Sequence, residues 1–199
     1  MAVADRAVFP LKMVLYPGAT TQLVIFEPRY LAMVSYCMTH QIPFVIAKQL
    51  SAQKNLDYSF ERIATTARII DFDQQDDGML MITVQGEQRV RLLDCYVSKE
   101  KLNICTSYRQ LPELTDATLP EQLLPLKELA VKLARIPELD IELSESSLQS
   151  CQYVTHFLAQ LLPLDLEFKQ YLLEHDNPVD KAVELYDQLL EESEFEITA

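Results

Sequence analysis

Cysteine and histidine are the residue types of this sequence best suited to metal binding and nucleophilic catalysis. Cys37 and His40 are three positions apart, a spacing that places both on one face of a helix and would let them share a metal ion. A structural zinc site needs four ligands, and no second pair with suitable spacing is present. Cys37 also belongs to an apolar stripe, and free cysteine is commonly buried. We therefore predict that Cys37 is a core residue and that the chain holds no metal and no cofactor.

Nucleophilic catalysis by a Cys/His pair has little support in the sequence. Cys151 and His156 are five positions apart, so they would diverge around a helix. A pair assembled from distant positions stays open, because such partners need only be close in space. The only glycines are Gly18, Gly78 and Gly86. The sequence therefore contains neither a Gly-rich dinucleotide-binding or phosphate-binding motif nor the G-x-S-x-G motif of a nucleophile elbow. We predict no catalytic residue and no enzymatic activity.

The segment Glu27-Pro28-Arg29-Tyr30 is the most distinctive polar motif, and it admits two interpretations. In the first, Arg29 or Tyr30 faces a bound peptide. In the second, Glu27 and Arg29 anchor the start of a helix through ion pairing and hydrogen bonds, and Tyr30 belongs to the core. An acidic residue at a helix N-terminus is already explained by the helix dipole, which favours the second interpretation.

A second group of candidate binding residues is basic. Arg89 and Arg91 alternate along one predicted strand, so they share a face, and Arg68 is a candidate neighbour. These side chains could bind phosphate or an acidic peptide. A solvated face, or pairing with the acidic second half of the chain, is the more ordinary explanation for charged strand residues. The candidate ligand-binding residues are thus Arg29, Tyr30, Arg89 and Arg91.

Short apolar and β-branched runs must position these side chains in the first hundred residues. They predict strands over residues 8–15, 22–26, 43–48, 62–72, 80–92 and 102–108. Turn signals separate them, notably Tyr16-Pro17-Gly18 and a hairpin turn at Asp76-Asp77-Gly78, and Gly86 interrupts the fifth run. Several short strands with turns between them favour a barrel or sandwich over a parallel sheet.

Helical periods account for the remaining segments. One helix begins at Pro28, presents Tyr30, Leu31, Val34, Cys37 and Met38 on one face, and ends at 41–43. From residue 111 onward glycine is absent and four further helices are predicted. Prolines 137 and 163 end the first two, Asp165 caps the third, and Asn177-Pro178 opens the fourth. Their short connections favour a compact antiparallel bundle.

Charge is unevenly distributed along the 199 residues. The net charge is −13, made of +1 over residues 1–110 and −14 over residues 111–199. A phosphate backbone would be repelled by the second half, which disfavours general nucleic-acid binding. The longest uncharged run, residues 146–164, is interrupted by polar side chains, so no membrane span is predicted. With no C-x-x-C pair and no signal-peptide pattern, we expect reduced cysteines and a cytoplasmic location.

Several spaced motifs carry a resemblance to a known family. They are F-P-L at 9–11, V-L-Y-P-G at 14–18, L-V-I-F-E-P-R-Y at 23–30, A-T-T-A-R-I at 64–69 and D-G followed by V-Q-G-E-Q-R-V-R-L at 77–92. In this order they resemble the N-terminal domain of Lon proteases. The helical region, especially residues 158–173, resembles the helical half of that domain less specifically, so the resemblance covers most of the chain.

The resemblance implies both a fold and a role. The fold is α+β: a PUA-like β-barrel with one packed helix over residues 1–115, followed by an α-helical bundle over residues 116–199. In full-length Lon this region helps to recognise and hold protein substrates, whereas the ATPase and Ser-Lys peptidase lie downstream. This chain contains neither, and it is similar to standalone bacterial proteins made only of this domain. The family glycine of G-T-x-A is Ala64 here, and alanine would carry a steric cost if that position needed a positive φ.

We therefore expect a non-catalytic module that binds unfolded or extended polypeptide segments, or a partner protein, and no membrane. Exposed apolar grooves and unpaired strand edges hold such chains through backbone hydrogen bonds and shallow pockets. Two alternatives stay open: an RNA-binding PUA-like protein, and an enzyme of unknown class. The acidic second half argues against RNA, and no motif favours an enzyme.

Overall fold

In the part of the chain that the structure describes, six β-strands and one α-helix precede residue 111, and four α-helices follow it. This computed structural model describes residues 5–50, 59–75, 78–112, 115–139 and 143–198. The chain divides into two units, residues 1–113 and residues 114–199. The predicted α+β class is therefore confirmed.

The first unit contains all the strands and the first helix. In chain order these are β1 (Arg6–Leu11), β2 (Thr20–Ile25), α1 (Pro28–His40), β3 (Phe44–Lys48), β4 (Ile63–Gln74), β5 (Leu80–Val97) and β6 (Asn103–Gln110). The second unit contains α2 (Leu124–Ala134), α3 (Cys151–Leu161), α4 (Leu166–Glu174) and α5 (Pro178–Thr198). The largest departure from the predicted elements is β5, which runs through Gly86 without a break and continues to Val97.

The strands form one six-stranded sheet in the order β2-β5-β4-β3-β1-β6. Only the β1–β3 pair is parallel among the described strand pairs, and the others are antiparallel. Because β5 is 18 residues long, its first half pairs with β2 and its second half with β6. The series of pairings β5-β4-β3-β1-β6 thus returns to β5.

Turn residues adopt the conformations that their types favour. Gly18 has a φ of +84°, and the N–H of Ala19 donates to the carbonyl of Tyr16 at 3.1 Å, which closes the predicted turn. Gly78 has a φ of +83° in the β4–β5 connection. Asp76 and Asp77, the other two residues of the predicted hairpin turn, lie outside the described residues.

Gly86 has a different role, because two segments of backbone meet at it. Its N–H donates to the carbonyl of Ala19 at 2.9 Å, and its carbonyl accepts from the N–H of Gly18 at 2.8 Å. A Cβ atom at this position would lie 2.3 Å from the carbonyl oxygen of Tyr16. A side chain cannot occupy that space, so glycine here allows the segment after β1 to dock against β5.

Ala64, which stands where the related family has glycine, has an ordinary strand conformation in β4. Among the described residues other than glycine, positive φ occurs at Gln41 and Lys101. Ala64 is buried, with 1% of its surface exposed. The steric cost considered from the sequence therefore does not arise.

Helix α1 packs one narrow face against the sheet. Its buried residues are Tyr30, Met33, Val34 and Cys37, which follow the helical period i, i+3, i+4, i+7. They form one cluster with strand residues that include Phe9, Phe44, Ile82 and Val84. The predicted stripe was wrong in part, because Leu31 and Met38 are exposed and Met33 is buried instead. Because α1 contacts the sheet on one side only, its apolar face is narrower than the sequence pattern suggested.

Two helices of the second unit begin at the capping residues predicted from the sequence. Asp165 accepts a hydrogen bond from the N–H of Glu167 at 2.7 Å at the start of α4, and Asn177 accepts from Val179 at 3.0 Å at the start of α5. Helix α3 packs against α2, α4 and α5. No helix in the described ranges combines the length and the apolar composition needed to cross a bilayer.

Candidate functional site

A groove in the first unit lies between α1 and the end of the β5–β6 hairpin. Its volume is about 390 Å³, within the range of small-ligand sites. Its lining comes from the start of β1, from α1 and the residues after it, and from the hairpin: Asp5, Ala7, Arg29, Ala32, Met33, Tyr36, Cys37, Ile42, Pro43, Tyr96, Ser98, Glu100, Leu102 and Ile104.

The floor of the groove is apolar and its rim is aromatic and acidic. Met33 and Cys37 belong to the buried core, so the floor is continuous with the packed interior. Tyr36 on α1 and Tyr96 on β5 are 57% and 50% exposed, which leaves two aromatic rings available to a ligand. The exposed Glu100 adds negative charge at the rim. The groove is suited to an apolar or aromatic side chain on an extended segment.

Arg29 connects two of the segments that border this groove. Its guanidinium pairs with Glu27, with Nε and Nη2 at 2.8 and 2.7 Å from Oε2. Its Nη1 donates to the carbonyl of Lys101 at 2.7 Å, in the turn between β5 and β6. The arginine thus links the start of α1 to the hairpin on the opposite side of the groove, while its positive charge is balanced by Glu27.

Replacing Arg29 with alanine is expected to lower the free energy of unfolding by about 1–2 kcal/mol, because a charged hydrogen bond and a partly exposed ion pair are lost together. Arg29→Lys should recover only part of this, since an ammonium group cannot reproduce the planar arrangement of donors. Arg91→Ala removes an exposed arginine of the same unit and should change stability by less than about 0.5 kcal/mol. Urea unfolding of the three variants measures the difference, and equal losses for Arg29→Ala and Arg91→Ala would contradict this role.

Tyr30 is buried beneath Arg29, whose guanidinium carbon lies 4.6 Å from the centre of the tyrosine ring. The centre of the Tyr30 ring also lies 4.0 Å from the centre of the Phe9 ring. Burial raises the pKa of the Tyr30 hydroxyl. Tyr30 therefore lies in the core and does not line the groove, whereas its neighbour Arg29 does.

The basic residues predicted on β5 are not gathered into one exposed patch. Arg89 and Arg91 lie opposite Thr65 and Ile63 of β4, so they share a strand face, but Arg89 is only 4% exposed and Arg91 is exposed. Nη2 of Arg89 lies 3.5 Å from the carbonyl oxygen of Pro112. Burial of Arg89 by the segment after β6 was not visible in the strand pattern.

Arg68, the suggested third member of that patch, belongs to a different pairing. It lies opposite Gln85, and its guanidinium forms a salt bridge with Glu87 on the same neighbouring strand. Its charge is therefore balanced locally. None of these three arginines lines the groove.

The residues considered for metal and nucleophilic chemistry are placed in other environments. In the described ranges, no three His, Cys, Asp or Glu side chains are grouped to hold a metal ion. Burial raises the pKa of Cys37 to about 11, and burial raises that of Cys151 to about 11 as well. Cys151 donates to the carbonyl of Thr118, whereas Nε2 of His156 lies 3.0 Å from Nζ of Lys181. Protonated thiols of this kind are poor nucleophiles.

Sequence reasoning missed the exposed aromatic residues of the groove. Tyr36 lies outside the apolar stripe of α1, and Tyr96 lies beyond the predicted end of the fifth strand. A signal for Tyr96 was available, since the charged and polar residues Ser98-Lys99-Glu100-Lys101 mark a turn between the fifth and sixth predicted strands. Extending the hairpin symmetrically about that turn would have placed Tyr96 opposite Ile104, as the structure does.

The family model described as the ATP-dependent protease La (LON) substrate-binding domain matches residues 6–191. The chain belongs to this family. The resemblance drawn from the spaced motifs of residues 9–92 is thereby confirmed, and the match extends through the helical unit. The family is the substrate-binding part of Lon, distinct from its protease domain.

Curated relatives with detectable similarity are full-length Lon proteases. The chain is 24% identical over 177 residues to the Lon protease of Cytophaga hutchinsonii, and 24% identical over 176 residues to Lon protease 2 of Herpetosiphon aurantiacus. Each comparison covers 85% of this chain and 22% of the relative. The chain thus spans about a fifth of the length of the curated relatives that it matches.

Solved structures of Lon N-terminal domains resemble most of this chain. A Lon N-terminal domain protein from Xanthomonas campestris is 27% identical, with a TM-score of 0.74 over 93% of this chain and 98% of that one. The N-terminal domain of the Mycobacterium avium complex Lon protease has a TM-score of 0.65 over 92% and 96% of the two chains. At 15% identity, the second comparison concerns the fold alone.

Proposed function

We propose that this chain binds extended segments of unfolded polypeptides in the groove beside α1, and that it breaks no bond in them. The observation that carries this proposal is the groove itself, with its apolar floor and the exposed rings of Tyr36 and Tyr96 at its rim. Membership of the Lon substrate-binding family supports a role in holding polypeptides. Extended chains expose side chains to one side at alternate positions, so one groove can take a single apolar residue from many different sequences.

Charge around the groove favours a particular class of segment. Asp5 and Glu100 line it and are exposed, while the positive charge of Arg29 is balanced by Glu27. Solvated carboxylates contribute more to the rate of encounter and to selectivity than to affinity. We therefore propose that the preferred segments carry an apolar or aromatic residue flanked by lysine or arginine.

The remaining parts of the proposal concern fold and context. The closed series of pairings from β5 through β6 supports a PUA-like β-barrel with α1 packed on it, and α2–α5 support a helical bundle, with the boundary near residue 115. We also propose a cytoplasmic location, because the four cysteines include no C-x-x-C pair and are expected to be reduced. We propose no nucleic-acid ligand, because the net charge of −13 would repel a phosphate backbone.

Filling the groove is expected to weaken peptide binding at least tenfold. Ala32 lines the groove from α1 and is exposed, so Ala32→Trp places a large ring in the space that a ligand side chain would occupy. The measurement is fluorescence anisotropy with a labelled library of extended peptides, sorted into those with and without lysine or arginine beside an aromatic residue. The wild-type chain should bind the basic aromatic peptides most tightly.

The control for this experiment is Leu31→Trp. Leu31 is an exposed neighbour on the same helix but does not line the groove, so the same new side chain should leave peptide affinity within about twofold of wild type. Equal weakening by both substitutions would contradict the assignment of the groove. Absence of binding to every peptide in the library would contradict the proposed function.

A further inference from the structure

Two cysteines occupy directly opposite positions on neighbouring antiparallel strands. Cys95 on β5 is paired in register with Cys105 on β6. Opposite residues of antiparallel strands have Cα atoms about 4.5–5.5 Å apart. A disulfide spans Cα separations of about 4.4–6.8 Å, so this strand register is compatible with a disulfide between the two residues.

The two thiols already interact with each other and with a cation. A hydrogen bond between the two side chains lowers the pKa of Cys105 and raises the pKa of Cys95. Nη1 of Arg62 lies 3.8 Å from Sγ of Cys95. A lowered pKa favours the thiolate of Cys105, which is the form of cysteine that reacts with disulfides.

The two cysteines differ in how deeply they are buried. Cys95 is partly exposed, whereas Cys105 is fully buried. A small molecule can therefore reach Cys95 first. Cys105 lies behind it, where its sulfur can attack a group attached to Cys95. Cys95 is thus placed to act as the attacking thiol and Cys105 as the resolving thiol.

We propose that Cys95 and Cys105 form a reversible intramolecular disulfide by exchange with a small-molecule disulfide. Cys95 loses its proton to solvent and its sulfur attacks one sulfur of the small disulfide, which releases one thiolate and leaves a mixed disulfide on Cys95. The Cys105 thiolate then attacks Sγ of Cys95, which releases the second thiolate. The two cysteines lose two electrons and two protons, and the small disulfide becomes two thiols.

The other two cysteines provide an internal comparison. Cys37 and Cys151 are buried, and burial raises the pKa of each to about 11. They should stay reduced under conditions that oxidise the pair. The structure therefore assigns oxidation to one specific pair of the four cysteines.

The location of the pair connects it to the groove. Tyr96 and Ile104, the next residues in register, both line the groove. A covalent link between Cys95 and Cys105 would fix the strands immediately behind that wall. Formation of the disulfide is independent of the proposed peptide binding, and it can be detected with no peptide present.

The experiment incubates the fully reduced, folded chain with excess glutathione disulfide and removes the reagent. The chain is then unfolded in denaturant so that every remaining thiol is alkylated, and the product is digested with trypsin under non-reducing conditions. We expect two alkylated cysteines per chain, Cys37 and Cys151, and no retained glutathione. Cleavage after Arg91, Lys99, Lys101 and Arg109 should release residues 92–99 joined to residues 102–109. Dithiothreitol should restore all four thiols.

Single substitutions test the order of the steps. Cys105→Ser should retain one glutathione on Cys95, because the second attack is lost, and Cys95→Ser should react at least tenfold more slowly, because only the buried thiol remains. Cys151→Ser is the matched control and should form the disulfide as wild type does. Four free thiols in the treated wild-type chain, a link between any other two cysteines, or a link between two chains would overturn the proposal.

Discussion

Replacing Gly86 with alanine is expected to lower the free energy of unfolding by about 3 kcal/mol or more, or to prevent folding of the first unit. The added Cβ would lie 2.3 Å from the carbonyl oxygen of Tyr16 and within 3.2 Å of a carbon of the Leu15 side chain. The closest neighbour is backbone, which cannot move aside by a rotamer change. Relief of the clash would break the hydrogen bonds that join Gly86 to Gly18 and Ala19.

Urea unfolding followed by circular dichroism measures this loss, and Gly78→Ala is the matched control. Gly78 has a φ of +83°, but among the described residues a Cβ there would have only the Gln74 side chain within 4 Å, at 3.8 Å. Its substitution should therefore cost about 1–2 kcal/mol, the strain of alanine in the left-handed region alone. A loss at Gly86 no larger than the loss at Gly78 would show that the close approach to Tyr16 is not what requires glycine.

Alkaline pH is expected to destabilise both units through their buried thiols. An ordinary cysteine has a pKa of about 8.5, and burial raises the pKa of Cys37 and of Cys151 to about 11. Because the folded-state pKa is raised, this contribution is fully present below pH 8.5 and is lost as the pH rises toward 11. Each thiol should account for a loss of about 2 kcal/mol at pH 10.5. Burial also raises the pKa of Tyr16, which adds a loss of the same sign in the first unit above pH 10.

The measurement is the free energy of unfolding at pH 8 and at pH 10.5 for the wild type, for Cys37→Ala and for Cys151→Ala. Each variant should be less stable than wild type at pH 8, because a buried side chain is shortened. Each should lose about 2 kcal/mol less than wild type between the two pH values, because one titrating group is gone. Parallel curves for wild type and variants would exclude these thiols as the cause.

The candidate site shows where reasoning from sequence succeeds and where it stops. The motif around Arg29 was singled out from the sequence, and the structure places Arg29 at the groove. Its partner Lys101 lies 72 positions away, and the strand pattern did not reveal that the hairpin turn would come so close. Arg89 and Arg91 were correctly assigned to one strand face, yet only the fold determines that Arg89 is covered by the residues after β6.

The amino-acid sequence by itself determined the order of strands and helices, the turns at Gly18 and Gly78, the helix caps at Asp165 and Asn177, and the family. These features depend on residues close together in the chain, whose spacing and conformational preferences act locally. The tertiary structure alone decided that Gly86 meets Tyr16, that Cys95 faces Cys105, and that Tyr36 and Tyr96 border one groove. Such contacts depend on strand register and helix placement, which are set by the packing of the whole core rather than by any local pattern.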